Sequence, residues 1–336
     1  MTEGILYVTA GEVYLDEAAL SARTVKDAMP DVPVAIVADR APDADVFDEY
    51  LELPEPHYGW MDKVENLPRS PFEKTIYFDS DVYVEADVSE LFALLDGFDV
   101  ALAPDPFQHP VFDSHPYHDQ GGDLYAEEVR ALTEYQAGVI AYRRSDAVDE
   151  MLADWRELYE PADHWSDQPS LRVAIARNDV RIHPLRAQYN YVPGLETVLS
   201  GEVKIVHNRL LDSPALSDRW KDVEPSALDA LIEKVNRDAD AVRVTLPAFP
   251  GLDETRVRTC ERARDVVVRP PASSLDYLYA GLKTGRPAAA LRRCPPVASF
   301  EKLYHHASAH GVRTTLAAAM RRAREALASP TKTPDR

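Results

Sequence analysis

Two aspartates one residue apart, Asp79 and Asp81, follow an apolar, β-branched and aromatic run, TIYF. In an extended chain, residues i and i+2 point the same way, so both carboxylates can face one hard divalent cation. Such a cation would neutralise a departing diphosphate. The D-x-D spacing alone also fits a solvated turn. Its position after a predicted strand favours a metal site, because ligands bind at the carboxyl ends of strands in open α/β sheets.

The elements that must position these acids alternate along the chain, which predicts a mostly parallel sheet flanked by helices. Strands are predicted at 5–10, 34–38, 75–78, 100–103, 138–142, 180–182 and 203–206. Helices are predicted at 15–29, 60–67, 88–95, 146–159 and 168–177. A polar segment at 104–134, rich in Pro, His and Asp, is too long for a simple connection and is predicted to be a lid or binding loop. A second metal site there is the alternative, with His109, Asp113, His115, His118 and Asp119 as ligands.

Composition bounds the class of protein. The 336 residues, 45% of them hydrophobic, can form one large α/β domain or a domain with an appendage. The net charge of −20 repels phosphate backbones, which argues against a nucleic-acid partner. The acid excess, with 28 Arg against 9 Lys, is typical of a halophilic protein. Cys260 and Cys294 form no C-x-x-C pair and are interpreted as structural thiols.

Charge is distributed unevenly between two parts of the chain. Residues 255–336 carry a net charge of +10, whereas residues 1–254 carry −30. We therefore predict a catalytic domain at 1–250 and a basic, helical region at 251–336. One prediction is that the basic region contacts an acceptor, or anionic lipid in a peripheral membrane contact. The other prediction is that it packs against the acidic domain. The sequence has neither an apolar run of membrane-spanning length nor a signal-peptide pattern, so cytoplasmic residence is expected.

The segment TIYFDSDVYVEADVSELF resembles the D-x-D core of nucleotide-diphospho-sugar transferases of the GT-A fold, particularly glycosyltransferase family eight, whose members include glycogenin and bacterial galactosyltransferases. Four further segments match in the expected order, over residues 4–210. The resemblance implies an α/β GT-A fold. It also implies transfer of a hexose, most often from a UDP-sugar and with retention, to a glycan, lipid-linked or protein acceptor. Mn²⁺ or Mg²⁺ would be held by Asp79, Asp81 and His207, the last in the segment VKIVHNR.

The same resemblance implies which residues contact the donor. In SDQPSL, Asp167 would bind sugar hydroxyls and Gln168 would lie beneath the anomeric carbon. The opening segment YVTAGEVYLDEAALSARTV would hold the uracil, and EYQAGVIAY has Gln-Ala where the family has Asn-Ser. Arg209 would substitute for a phosphate-contacting Lys, because the family's Lys-Pro-Trp is missing. The donor-binding residues are expected to be Thr9, Ala10, Gly11, Tyr14, Asp39, Lys63, Asp79, Ser80, Gln136, Ala137 and Arg209.

Other interpretations remain for several of these residues. His207 alone fits a structural histidine, Tyr14 a half-buried aromatic residue, and Asp167 a helix N-cap. A phosphatase with a phosphorylated first aspartate is disfavoured, since Tyr83 replaces the expected Thr or Val. A sugar-nucleotide pyrophosphorylase is disfavoured because no Gly-rich loop follows the first strand. The alternative from another class is a catalytically inactive nucleotide-sugar-binding or scaffold protein.

Overall fold

The computed structural model of this chain describes residues 2–105, 131–159, 166–193, 195–208, 225–246 and 255–260. All of them lie within one compact unit, Met1–Val266. The predictions for the His-rich cluster, for Arg209 and for the basic region beyond residue 260 lie outside the described residues. None of the helices in the described ranges is long and apolar enough to cross a membrane.

Strands and helices alternate through the first two thirds of the chain. The strands are β1 (Glu3–Thr9), β2 (Val34–Ala38), β3 (Glu49–Glu52), β4 (Lys74–Phe78), β5 (Val82–Val84), β6 (Val100–Pro104), β7 (Tyr135–Arg143), β8 (Ile182–Pro184), β9 (Thr197–Ser200), β10 (Ile205–His207), β11 (Val242–Leu246) and β12 (Arg256–Cys260). The helices are α1 (Glu12–Ala28), α2 (Trp60–Asn66), α3 (Glu90–Leu94), α4 (Asp146–Tyr159), α5 (Gln168–Arg177) and α6 (Pro225–Asn236).

Seven strands form the central sheet, in the order β3-β2-β1-β4-β7-β6-β8. All run in the same direction except β7, which is antiparallel to both of its neighbours. Strands β1, β2 and β4 are buried almost throughout and are mostly apolar, as expected for parallel strands covered on both faces. The predicted fold class, an α/β fold with a mostly parallel sheet, is confirmed.

Helices cover both faces of this sheet. Side chains of α1 and α3 share one apolar core with one set of alternating sheet residues, including Ile5, Ile36 and Phe78. Side chains of α2, α4 and α5 share a second core with the opposite set, including Leu6 and Tyr77. Because successive strand residues point to opposite faces, a single apolar strand supplies both cores.

Two small sheets complete the described structure. Strand β5 leaves the main sheet and pairs with β10, and β9, β11 and β12 form a three-stranded sheet. Helix α6 packs its apolar side chains against residues of β9 and β10. Strand β12 follows the predicted boundary at residue 250 and pairs with β11 inside the same unit. The division into a catalytic domain and a basic region stays a prediction.

Asp99 lies just before β6 and forms hydrogen bonds with residues at the end of β7 and just before β8. Its Oδ1 accepts a hydrogen bond from Arg143 Nε at the end of β7, at 2.8 Å. Its Oδ2 accepts from the backbone N–H and the Nε of Arg181, just before β8, at 2.8 and 3.0 Å. Hydrogen bonds from the Arg181 side chain, and then those from its backbone and from Arg143, outweigh burial and hold the pKa of Asp99 well below its usual range.

Asp99→Asn is expected to lower the free energy of unfolding at pH 7 by about 2–3 kcal/mol, because charge-assisted hydrogen bonds are lost. The folded-state pKa lies below the unfolded value of about 3.9, so this contribution is complete above about pH 5 and is lost as the pH falls toward the folded value. The difference in the free energy of unfolding between parent and variant should therefore be about 1 kcal/mol smaller at pH 3 than at pH 7. Urea unfolding at both pH values measures it.

Asp96→Asn is the control for this prediction. The Asp96 carboxylate is exposed and pairs with Lys74 at 2.8 Å, so its loss should cost less than about 1 kcal/mol. A destabilisation by Asp99→Asn that matched the control, or one that was unchanged at pH 3, would contradict the proposed role of Asp99.

Candidate metal centre

Asp79 and Asp81 lie between β4 and β5, at the carboxyl edge of the central sheet. The N–H of Val82 donates to the carbonyl of Asp79 at 3.2 Å, so these residues form a β-turn. The predicted extended conformation is therefore wrong, because the chain bends here to let β5 leave the main sheet. Both carboxylates still converge with His207: one ligand atom of each residue lies within 4.8 Å of the others.

Strand pairing explains the position of His207. In the antiparallel pair of β10 and β5, His207 lies opposite Val82, the residue that follows Asp81. The N–H of Asn208 donates to the carbonyl of Asp81 at 3.0 Å and extends this pairing by one step. As a result, His207 Nε2 lies 3.3 Å from Asp81 Oδ1.

The imidazole of His207 is held from two sides. Gly138 on β7 leaves space for the ring, since a Cβ on this glycine would lie 2.2 Å from His207 Cε1. On the other side, His207 Nδ1 lies 3.1 Å from Asn190 Oδ1. An amide oxygen only accepts, so Nδ1 is the donor in this contact and Nε2 is the ring nitrogen that faces Asp81. This is the usual arrangement of a metal-binding histidine, with its second nitrogen hydrogen-bonded.

These three side chains fit a divalent cation. Carboxylate oxygens suit Mg²⁺ and Mn²⁺, and an imidazole nitrogen is a common additional ligand. Ligand atoms about 2.1 Å from one ion lie at most about 4.2 Å apart. The observed spread of up to 4.8 Å therefore requires an inward movement of only about half an ångström. An octahedral ion with three protein ligands keeps three positions for other ligands.

Gly138→Ala is expected to weaken Mn²⁺ binding about 10- to 100-fold without changing any ligand, because the added methyl group must displace the His207 ring. Loss of the electron paramagnetic resonance signal of free Mn²⁺ measures binding directly. Gly97→Ala is the matched control, since its Cβ would meet only the carbonyl oxygen of Leu94, at 3.8 Å. Equal Mn²⁺ affinity in the two variants would show that the ring position does not matter.

Lys63 connects Asp167 to the three candidate ligands Asp79, Asp81 and His207, which we call the metal group. Its Nζ lies 3.3 Å from Asp79 Oδ1 and 2.6 Å from Asp167 Oδ2. It also donates to the carbonyl of Ala137 at 3.3 Å. Burial opposes the charge on Lys63, but Asp167 and Asp79 outweigh it and raise the pKa of Lys63. A permanent positive charge therefore lies beside the candidate metal ligands.

Tyr77 makes a contact that was not predicted from the sequence, and Asp167 lacks the capping contact that one alternative predicts. The phenol of Tyr77 donates to Asp79 Oδ1 at 2.6 Å. Burial and then the charge of Asp79 raise the pKa of Tyr77 well above its usual value, so it remains a donor. Asp167 precedes α5, but its side chain makes no capping hydrogen bond. The alternative in which this side chain only caps the helix is therefore wrong.

Gln168, the first residue of α5, belongs to a second buried polar cluster. Its Nε2 donates to Asp105 Oδ2 at 2.5 Å and to Glu134 Oε1 at 3.4 Å. Gln136 Nε2 donates to the same Asp105 oxygen at 3.1 Å, and Arg172 Nη1 lies 3.4 Å from Glu134 Oε2. Carboxylates only accept, so the amide nitrogen of Gln168 must face these acids. The orientation of the Gln168 amide is thereby fixed.

The remaining predicted donor residues lie at the same edge of the sheet. Thr9 ends β1, Ala10 follows it, and Gly11 has a φ of +94°, a left-handed conformation that favours glycine. The Gly11 N–H donates to Asp39 Oδ1 at 3.0 Å, which joins the end of β1 to the end of β2. Tyr14 is half-buried in the first turn of α1. Ser80 donates to a carboxylate on α1, Glu17 Oε2, at 2.6 Å.

Sequence comparisons give no assignment. No protein-family model and no curated protein matches the chain. Solved structures that match part of this chain include the bifunctional glycosyltransferase WbbM, at 15% identity and a TM-score of 0.43 over 61% of this chain. The galactosyltransferase LgtC, in complex with donor and acceptor sugar analogues, has 15% identity and a TM-score of 0.39 over 57% of this chain. Mouse xyloside xylosyltransferase 1 has 12% identity and a TM-score of 0.42 over 64%.

These three structures differ in how much of their length this chain spans. The chain spans 45% of WbbM, 76% of LgtC and the whole of the xylosyltransferase chain. All three are glycosyltransferases, but similarity at these identities and TM-scores assigns no activity here.

Proposed function

We propose that this chain is a metal-dependent glycosyltransferase of the GT-A fold. It moves a hexose from a nucleotide-diphosphate sugar, with UDP as the nucleotide, to a glycan, lipid-linked or protein acceptor, with retention of configuration. The observation that carries the proposal is the convergence of Asp79, Asp81 and His207 at the carboxyl edge of a mostly parallel sheet. Ligands bind at this edge in open α/β sheets.

The donor's diphosphate is proposed to bind at this edge, beside Asp79, Asp81 and His207. Asp79, Asp81 and His207 would hold Mn²⁺ or Mg²⁺, which when bound supplies Lewis-acid stabilisation of the leaving nucleotide diphosphate. Lys63 adds a fixed positive charge 3.3 Å from Asp79. It also pairs with Asp167 at 2.6 Å, so its charge offsets part of the negative charge that these two carboxylates would present to a diphosphate. Arg209 is proposed as a further phosphate contact.

The sugar is proposed to bind beside the start of α5, where Asp167 would contact its hydroxyl groups. Asp105 and Glu134 hold the amide nitrogen of Gln168. The carbonyl oxygen, the electron-rich end of the amide, therefore points away from these acids. In that direction it can stabilise positive charge that develops at the anomeric carbon.

The acceptor is proposed to be recognised with the help of the basic region, residues 251–336. Its net positive charge suits an acceptor or a membrane surface that carries negative charge. We also propose that the protein resides in the cytoplasm, with or without a peripheral contact to the membrane.

Donor hydrolysis tests the proposed function without knowledge of the acceptor. The protein is incubated with a panel of nucleotide sugars and Mn²⁺, with EDTA as control. We expect slow release of UDP from one UDP-hexose, loss of release with EDTA, and recovery with added Mn²⁺. Binding of UDP with Mn²⁺ but no hydrolysis of any donor would favour the inactive binding protein. Failure to bind any nucleotide diphosphate would contradict the proposal.

A further inference from the structure

We infer that Tyr58 is a base-stacking residue, whose ring supports the nucleobase of the nucleotide-diphosphate donor. The inference rests on the proposed function and extends it to a residue that lies outside the motifs of the resemblance. It is carried by three observations: the exposure of the ring, the backbone conformation of Tyr58, and its position beside Gly11.

Tyr58 is the most exposed large hydrophobic side chain in the described part of the chain. Its relative exposure is 67%, compared with 46% for Trp60 and 37% for Tyr50. Single exposed hydrophobic residues are common on protein surfaces, so exposure alone does not indicate function. It does show that the ring contributes little to the core.

The backbone of Tyr58 is strained. Its φ of +57° is the only positive φ of a non-glycine residue in the described ranges. The left-handed conformation costs free energy for residues with a Cβ, whereas Gly adopts it freely and Asn adopts it more readily than other residues. The position therefore holds a tyrosine where glycine or asparagine would cost less free energy, although the exposed ring adds little to the core, and such a residue suggests a function.

A buried carboxylate imposes this conformation. Asp62, which is 3% exposed, accepts the N–H of His57 on Oδ1 at 2.7 Å and the N–H of Gly59 on Oδ2 at 3.2 Å. These two hydrogen bonds fix the backbone on both sides of Tyr58. The ring is therefore presented to solvent from a preorganised turn, which reduces the entropy lost when a ligand binds.

The ring of Tyr58 lies beside Gly11, which follows the end of β1. Tyr58 Cδ1 lies 4.0 Å from the point that a side chain on Gly11 would occupy. The N–H of Gly11 donates to Asp39, so the ring borders the joined ends of β1 and β2. Helix α2 begins two residues after Tyr58 and carries Lys63 to Asp79. Tyr58 therefore lies between the strand ends and the helix that reaches the metal group.

A nucleobase fits this position. If the diphosphate of a bound nucleotide lies at Asp79, Asp81 and His207, its base would lie toward the ends of β1 and β2. The exposed Tyr58 ring would offer the base a flat face. Stacking on an aromatic ring tolerates any base, because every base has a π face.

Calorimetric titrations of two ligands separate a base contact from a phosphate contact. Mn²⁺ with UDP and Mn²⁺ with pyrophosphate are titrated into the parent, Tyr58→Phe, Tyr58→Asn and Trp60→Ala. We expect Tyr58→Asn to weaken UDP binding about 5- to 100-fold and to leave pyrophosphate binding unchanged. Tyr58→Phe and Trp60→Ala should bind both ligands like the parent. The Tm of Tyr58→Asn should equal or exceed that of the parent, since Asn tolerates a positive φ.

Several results would overturn this role of Tyr58. They are unchanged UDP binding by Tyr58→Asn, an equal loss of pyrophosphate binding, a matching loss in Trp60→Ala, or a lower Tm of Tyr58→Asn. A parent protein that bound neither ligand would instead contradict the proposed function, and with it the inference. If the parent bound UDP and Tyr58→Asn bound it equally tightly, only the inference about Tyr58 would be contradicted, and the proposed function would stand.

Discussion

Asp81→Ala and His207→Ala are each expected to abolish Mn²⁺-dependent binding of UDP and to reduce turnover about 10³-fold. Each change removes one of three ligands whose atoms lie within 4.8 Å of one another. The fold should remain intact, because these side chains lie at the edge of the sheet and not in its apolar cores. Calorimetry with UDP, with and without Mn²⁺, measures the loss.

The control for this pair is Asp87→Asn, which changes an exposed carboxylate shortly after β5. It should bind UDP with Mn²⁺ like the parent. If Asp81→Ala or His207→Ala bound this complex as tightly as Asp87→Asn, the metal group would be wrongly assigned. If either variant also lost its unfolding transition, the side chain would be structural.

Gln168→Ala is expected to reduce turnover about 10²- to 10³-fold while UDP binding with Mn²⁺ is unchanged. The reason is that the proposed partner of the Gln168 carbonyl is the reacting carbon and not the nucleotide. Donor hydrolysis and calorimetry on the same protein samples separate the two effects.

Asn178→Ala is the matched amide for Gln168, at the other end of α5. Asn178 Nδ2 donates to Asp154 on α4 at 2.7 Å, away from the candidate site. We expect this variant to keep its turnover. Normal turnover by Gln168→Ala would remove Gln168 from the reaction, and weakened UDP binding would make it a nucleotide contact.

Two helices, α4 and α5, could be predicted closely from the sequence. Helices α4 and α5 match the predicted ranges 146–159 and 168–177. Each begins with a strong local signal, Asp146 at the start of α4 and Asp167-Gln168-Pro169 at the start of α5. The last predicted strands were displaced by one or two residues, since β8 is Ile182–Pro184 and β10 is Ile205–His207.

Strand pairing and direction could not be predicted in the same way. The apolar run of β7 has no feature that makes it antiparallel, because a strand buried on both faces has the same pattern in either direction. Strand β3 is mostly exposed, so its sequence, EYLE, lacks an apolar run. The β-turn at Asp79 depends on β5 pairing with β10, a contact between residues more than 100 positions apart.

The grouping of Asp79, Asp81 and His207 was predicted, but most of the residues that contact these three were not. Tyr77 lies two residues before Asp79 on the same face of the strand, so period-two alternation could have indicated it. Asn190 has no such signal, since it reaches His207 through the tertiary fold. Lys63 was predicted to approach the donor phosphates. Its burial between Asp79 and Asp167 depends on how α2 packs, which a single sequence does not reveal.

The most direct test of the metal-dependent site is anomalous diffraction at the Mn absorption edge from crystals soaked with Mn²⁺ and UDP. We predict one strong anomalous peak bonded to Asp79, Asp81 and His207 at about 2.0–2.3 Å, with diphosphate oxygens completing its coordination. A bound UDP with no anomalous peak at these three residues, or with the peak at another group of ligands, would contradict the account.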